Sequence, residues 1–180
     1  MSVKSRISIV VADITKLEGV QAIVNAANSS LLGGGGVDGA IHRAAGPELK
    51  RYCEREFEGP KRCPTGGSRI TPAFNLKHCE HVIHTVGPVW HGGSRREPEL
   101  LKSCYQTSLQ LATENDIDSI AFPGISTGIY GYPLDEASRE AVGTVVDYLK
   151  SHSKPSKVVF CAFAEENAES LKKALDAITD

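Results

Sequence analysis

The sequence predicts an α/β protein with a largely parallel sheet covered by helices on both faces. Two observations carry this: apolar runs of strand length recur along the chain, and runs of helical spacing alternate with them. The first strand-like run is Ile7–Ala12 and the second is Ala22–Asn25. Four consecutive glycines, Gly33 to Gly36, separate the second run from the Ala-rich stretch Asp38–Ala45, which reads as a helix. Pro47 begins a further helical stretch to about Phe57, and the charged residues from Lys50 to Arg62 read as a solvated helix face and loop. Ser68–Thr71 and His81–Val86 are the next two strands. Glu97–Asn115 carries Leu100/Leu101, Cys104/Tyr105, Ser108/Leu109 and Ala112 at three-to-four spacing, with Pro98 suited to a first turn. Ser119–Pro123 is the fifth strand. Leu134–Lys150 repeats the helical pattern with Ala137, Ala141, Val145 and Leu149, directly after Pro133. Lys157–Phe163 is the last strand and Glu165–Ile178 the last amphipathic helix. No internal repeat or low-complexity segment interrupts this order.

The bulk numbers bound the class. A chain of 180 residues is long enough for one domain, taken here as residues 1–180, that buries roughly 70% of its unfolded surface. Hydrophobic and charged fractions of 41% and 23% are those of an ordinary soluble protein. A net charge of −2 argues against a general nucleic-acid binder but not against a small anion held by backbone dipoles. Five cysteines, an odd and sparse set, point to reduced thiols and not to a disulfide framework. Met1 to Arg6 lacks a signal-peptide core, and no apolar run approaches a membrane span. The expectation is a cytoplasmic protein with no membrane partner.

Ligands of parallel α/β sheets bind outside the carboxyl ends of the strands. Three unusual segments fall there. Asp13 follows the first strand. The stretch from Asn25 to His42 follows the second, with two carboxamides before the glycines and one carboxylate after them. The segment from Gly124 to Pro133 follows the fifth. Glycines expose backbone N–H groups, and a loop that opens onto a helix N-terminus favours an anion. Two such loops facing one cleft suit a diphosphate. Phosphate recognition alone needs neither Asn25, Asn28 nor Asp38, so a hydroxylated group is expected beside the phosphates. Each of these residues also has a purely structural alternative: Asp13 as a cap, Asn25 and Asn28 as turn-formers, Asp38 as a helix-start charge with His42 as its partner one turn on.

Other chemistries find less support. Gly34 to Gly39 formally matches a dinucleotide fingerprint, but no acidic residue closes a second strand about 20 positions on. Neither loop continues into Gly-Lys-Ser/Thr. His78, Cys79, His81 and His84 are the best metal candidates, yet strand alternation points His81 and His84 to opposite faces and no second ligand pair stands out, so no metal is expected. There is no nucleophile elbow and no evident Cys–His pair.

Five segments together resemble the macrodomain family, in particular its MacroD-like hydrolase branch: Asp13-Ile14-Thr15, Ile23 to Asn28, Gly33 to His42, His84 to Pro88, and Ser126 to Pro133. The resemblance spans nearly the whole chain. It implies a three-layer α/β/α sandwich around a central mixed, largely parallel sheet, with a cleft for ADP-ribose; no cofactor is expected. It further implies removal of mono-ADP-ribose from acidic side chains of modified proteins and deacetylation of O-acetyl-ADP-ribose. Carried across by position, Asp13 would accept from the adenine amino group beside the Ile14 backbone. Gly35, Gly36 and Val37 would wrap one side of the diphosphate, and Ser126, Thr127, Gly128, Ile129 and Tyr130 the other. Asn25 and Asn28 would lie near the distal ribose, Asp38 would be the catalytic carboxylate, His42 would support it, and the Tyr130 ring would pack on the ribose. Phe163 would pack on adenine. Ala12 stands where the family usually has glycine, and Gly124 where a larger residue is common.

The chemistry fits residues without a nucleophile. An acyl ester already has a good leaving carboxylate, so the reaction needs a positioned water and oriented hydroxyls. The helix dipole should keep Asp38 ionised. Asp38 and the substrate's own phosphate are both candidates to activate the water. The competing function is an ADP-ribose-binding module without turnover, from which Asn28, Asp38 and His42 would distinguish an enzyme.

Overall fold

A computed structural model describes residues 2–179. Six strands, β1 (Ile7–Val11), β2 (Ala22–Ala27), β3 (Ser68–Pro72), β4 (His81–Val86), β5 (Ser119–Phe122) and β6 (Lys157–Ala162), form one sheet in the order β1-β6-β5-β2-β4-β3. Four neighbouring pairs are parallel; only β3, at one edge, runs antiparallel to β4. Five helices accompany them: α1 (Gly36–Ala45), α2 (Pro47–Glu56), α3 (Glu97–Glu114), α4 (Leu134–Lys150) and α5 (Glu165–Asp176). The mixed, mostly parallel sheet and its helical layers are those expected from the sequence.

The layers follow from where the apolar side chains go. Leu101, Tyr105 and Leu109 of α3, Val142 and Val145 of α4, and Phe122 and Phe160 of the sheet enclose one core. Ile41 of α1, Leu49 of α2, and Ile23 and Val82 of the sheet enclose a second on the opposite face. Each large side chain removed from water contributes about 1.5–3 kcal/mol against the entropy of ordering the chain. β2 and β4, in the interior of the sheet, are apolar on both faces except for the half-buried His81 at the start of β4 and the buried Asn25, His84 and Thr85. Those buried polar residues therefore need partners, and the site supplies them.

Several boundaries differ from the sequence-based expectation. β2 runs two residues past Asn25, because Asn25 itself pairs in register with His84 and its carboxamide is hydrogen-bonded inside the layer. Helix α1 starts at Gly36, two residues before Asp38, and Gly36 enters it with a φ of 58° that glycine accommodates freely. β1, β5 and β6 each end one residue early, and α5 ends at Asp176. A single 3-10 turn, Ile14–Lys16, follows β1 where no element was expected.

Parallel pairing aligns the carboxyl ends of β1, β6, β5, β2 and β4 along one edge. β2 and β5 are neighbours there, yet β2 leads to α1 on one face and β5 leads to α4 on the other. Their connections diverge, and the crevice between them is where such sheets bind ligands.

Candidate active site

A cavity of about 930 Å³ opens at that edge. Asp13 and Ile14 line one end, Asn28 and Gly34 to Asp38 one wall, Gly87 part of the floor, and Ser126 to Tyr130 the facing wall. Phe163 stands at the rim. Thus all of the expected site residues except Asn25 and His42 face one space. Those two stand behind Asp38, a correction to placing Asn25 beside a ligand: β2 points its side chain into the protein.

The first glycine loop is braced by Asn28. Its Oδ1 accepts from the Ser30 backbone N–H at 3.1 Å and the Ser30 hydroxyl at 2.6 Å, and its Nδ2 donates to the Gly33 carbonyl at 3.0 Å. One Nδ2 hydrogen is left over for a ligand. The loop delivers the chain to the first turn of α1, whose N–H groups have no acceptor within the helix.

Asp38 sits in that turn, only 4% exposed. Its Oδ1 accepts from Asn25 Nδ2 at 2.9 Å, with His42 Nε2 at 3.5 Å. Its Oδ2 faces Gly34, where a methyl group would stand 3.1 Å from it and 3.3 Å from Asn28 Nδ2. One carboxylate oxygen is thereby held from behind and the other is left toward the cavity. The helix dipole was expected to keep Asp38 ionised. Burial raises its pKa, while the Asn25 bond and His42 pull the other way. For His42 burial again dominates and lowers the pKa, opposed by the Asp38 charge. The pair is therefore shifted toward its neutral forms. Asp38 is a better base than a surface aspartate and a less certain anion.

The facing loop is held by the β4–α3 connection. The Trp90 N–H donates to the Tyr130 carbonyl at 2.8 Å, and the Trp90 and Tyr132 rings lie 4.7 Å apart. Glu97 fixes that connection: its carboxylate accepts from the backbone N–H groups of His91, Gly93 and Arg95 at 2.7, 3.0 and 2.6 Å. Burial raises the Glu97 pKa, but these bonds and that from its own N–H overcome it and pull it to about 2. Ser126 adopts a φ of 66°, and its hydroxyl is buried without a partner at the cavity wall. Gly87 makes this approach possible, since a methyl there would collide with the Ser126 hydroxyl and, at 2.7 Å, with Ile125.

At the far end, Asp13 caps the 3-10 turn through Oδ1, which accepts from Thr15 N–H at 2.9 Å and its hydroxyl at 2.7 Å. The Thr15 hydroxyl, then its backbone N–H, lower the Asp13 pKa, so the exposed carboxylate stays charged. The structural role and a ligand role are compatible, because Oδ2 remains free of both bonds. Ile129 and Phe163, 97% and 93% exposed, flank the opening.

The histidines once considered for a metal are dispersed. His78 lies 3.5 Å from Glu18, and His84 is fully buried against Asn25 and Thr71. Among the described residues, no group of three or more His, Cys, Asp or Glu side chains converges as a metal would require. Sequence reasoning missed His84, Thr71, Gly87 and Glu97. A histidine and an asparagine in the middle of two apolar runs were the available signal.

The chain matches the family model described as Macro domain over residues 24–141. It is 52% identical over 172 residues to the O-acetyl-ADP-ribose deacetylase of Escherichia fergusonii, covering 96% of both chains. The Oceanobacillus iheyensis macrodomain with ADP superposes with a TM-score of 0.87 at 44% identity, covering 93% of this chain and 88% of that one. The Trypanosoma brucei macrodomain in complex with ADP-ribose gives 0.85 at 42% identity, covering 94% and 69%.

Proposed function

This chain belongs to the Macro domain family, and on that premise we propose that it is an ADP-ribose-binding hydrolase, one that deacetylates O-acetyl-ADP-ribose and removes mono-ADP-ribose from acidic side chains. The observation that carries this reading is the half-held Asp38 carboxylate, with Oδ1 bonded to Asn25 and Oδ2 turned toward Gly34 at the mouth of the anion-binding turn. A module that only gripped adenosine diphosphate would gain nothing from sinking a carboxylate beside its phosphate loop, where it repels the ligand.

The ligand lies along the cavity in this reading. Asp13 accepts from the adenine amino group beside Ile14, and Phe163 covers the base. Backbone N–H groups from Gly35 to Val37 and from Ser126 to Tyr130 clamp the diphosphate from two sides. The spare Nδ2 hydrogen of Asn28 reaches a distal ribose hydroxyl, and the Tyr130 ring packs on that ribose. Asp38 Oδ2 orients a water for attack, at the ribose carbon where a side-chain carboxylate departs, or at the acetyl carbonyl where the ribose oxygen departs and takes up a proton from the attacking water. No covalent intermediate is needed, because the departing group is a carboxylate or its ribose-alcohol counterpart and the clamp supplies the positioning. His42 and Asn25 hold the Asp38 carboxylate and do not touch the substrate.

Two substrates, O-acetyl-ADP-ribose and a protein bearing mono-ADP-ribose on glutamate, test the proposal under single-turnover conditions beside ADP-ribose titration. Turnover of either supports a hydrolase, and which is faster sets its preference. Tight ADP-ribose binding with no turnover of both would make it a binding module.

A further inference from the structure

We propose that His84 and Thr71 are positioning residues that set the orientation of the Asp38 carboxylate through Asn25, in an inference that rests on the catalytic reading of Asp38. The argument is a closed account of hydrogens. Thr71 spends its one hydroxyl hydrogen on the Pro72 carbonyl at 3.0 Å. Toward His84 Nε2, also at 3.0 Å, it can then only accept, so His84 carries its proton on Nε2. That leaves Nδ1 as an acceptor, and Asn25 Nδ2 lies 3.1 Å from it. The second hydrogen of Asn25 Nδ2 goes to Asp38 Oδ1 at 2.9 Å. Each link fixes the next.

The alternative arrangement is disfavoured at both ends. Turning the Asn25 carboxamide over would set its oxygen against the Asp38 carboxylate and against the Nδ1 lone pair. The orientation adopted leaves Asn25 Oδ1 buried without a partner, a cost the fold bears for the sake of the other two bonds. Asn25 and His84 are fully buried and Thr71 nearly so, which shields these bonds from bulk water. Burial also pushes the His84 pKa down to about 3, so it stays a neutral imidazole over the working range. The chain runs across three adjacent strands, β3, β4 and β2, to the first turn of α1. It thus ties a catalytic carboxylate on a helix to the rigid middle of the sheet.

The test uses pairs of substitutions that keep or remove one link. Asparagine places its side-chain oxygen where histidine has Nδ1, whereas glutamine places its amide where histidine has Nε2. His84→Asn therefore keeps an acceptor for Asn25, and His84→Gln loses it. Thr71→Ser keeps the hydroxyl, and Thr71→Val removes it at nearly constant volume. Single-turnover hydrolysis of O-acetyl-ADP-ribose, ADP-ribose affinity and melting temperature are measured on each. His84→Gln and Thr71→Val are expected to lose roughly 10- to 100-fold in turnover, the range for groups that orient ligands from behind. Their ADP-ribose affinity should stay within about threefold of wild type. Thr71→Ser should recover most of the turnover, and His84→Asn, which keeps the acceptor for Asn25 but not the Thr71 link, should lie between His84→Gln and wild type. Equal turnover across the four variants overturns the proposal, as does parallel loss of turnover and affinity in all of them, which is the mark of a merely structural role. Asp38→Ala run alongside separates the two ideas: full turnover there removes the catalytic reading. In that event the ¹⁵N spectrum of His84 decides the remaining question. A proton on Nε2 in wild type supports the chain of bonds, and a proton on Nδ1 overturns it.

Discussion

Asn25 Nδ2 donates to Asp38 Oδ1 at 2.9 Å, joining the fully buried middle of β2 to the first turn of α1. The bond gives an otherwise unexplained strand asparagine its purpose and holds a carboxylate whose burial favours the protonated form. Removing it changes both. Asn25→Ala should destabilise the fold by about 1–3 kcal/mol, the cost of leaving a buried polar partner unmet. At about 2–4 °C per kcal/mol for a chain of this size, calorimetry would read a lower melting temperature. Turnover should fall at least tenfold while ADP-ribose affinity holds within about threefold, because Asn25 does not face the cavity. A variant with normal turnover would show that Asp38 needs no such support.

Gly34 offers a way to perturb the site without perturbing the fold. A methyl group there meets Asp38 Oδ2 at 3.1 Å and Asn28 Nδ2 at 3.3 Å and no backbone within 4 Å. Gly34→Ala should leave the melting temperature within a few degrees of wild type and cut single-turnover hydrolysis at least tenfold, by filling the space in front of the free oxygen. Unchanged turnover would place the reacting group elsewhere in the cavity.

Glu97 predicts an acid limit to stability. Its folded pKa, about 2, lies below the ordinary value of 4.5. A depressed acid stabilises the fold fully above its unfolded pKa and loses that contribution as pH falls toward the folded one. The stabilisation is therefore present at pH 5 to 8 and disappears between about 4.5 and 2. Glu97→Gln should lower the melting temperature at neutral pH and narrow its difference from wild type as the pH approaches 2. It should also weaken ADP-ribose binding, because the connection it pins carries Trp90, whose N–H holds the Tyr130 carbonyl. Melting curves that stay a constant distance apart across that window would refute the assignment.

Asp13→Ala should weaken ADP-ribose binding about 10- to 100-fold, the equivalent of one charge-assisted hydrogen bond of roughly 1.5–3 kcal/mol. The same change removes the cap on the turn at Ile14, worth about 0.5–2 kcal/mol of stability. Isothermal titration with ADP and with IDP, whose base lacks the amino group, separates the site role from the cap: only ADP should lose affinity if Asp13 binds the base. Affinities equal to wild type would leave Asp13 as a cap alone.

The alternation of strands and helices was legible because parallel strands and amphipathic helices write distinct periods into the chain. The two glycine loops were legible because glycines clustered directly after a strand stand out in the sequence. The antiparallel edge strand β3 was not, since direction depends on the path of the connection after α2. Asn25 was read as the end of a strand beside a ligand, whereas it lies inside the sheet. Its neighbours His84 and Thr71 come from strands 59 and 46 residues away in sequence, and only the register of β2 on β4 and β4 on β3 brings them together. The raised pKa of Asp38 was not legible for a related reason: the helix start is local and visible, and burial is not.

Asp38 itself gives the sharpest prediction, because stability and catalysis move in opposite directions. Its folded pKa is raised above 3.8. An acid with a raised folded pKa imposes no penalty below its unfolded pKa, and its ionisation destabilises the fold increasingly as pH rises toward the folded value. Asp38→Ala should therefore look best relative to wild type at neutral pH and worse below about pH 4, the loss of the Asn25 bond being common to both. A helix-start charge favoured by the dipole would do the reverse, losing about 0.3–1 kcal/mol at neutral pH. In the same variant ADP-ribose affinity should persist or tighten, since a carboxylate beside the diphosphate is gone. Single-turnover hydrolysis should fall by at least a hundredfold, as expected when a positioned base is removed. The acid limb of the wild-type rate profile should lie above the ordinary aspartate value of 3.8. Full single-turnover activity in Asp38→Ala would sink the catalytic role, and an ordinary acid limb would mean that a different group activates the water.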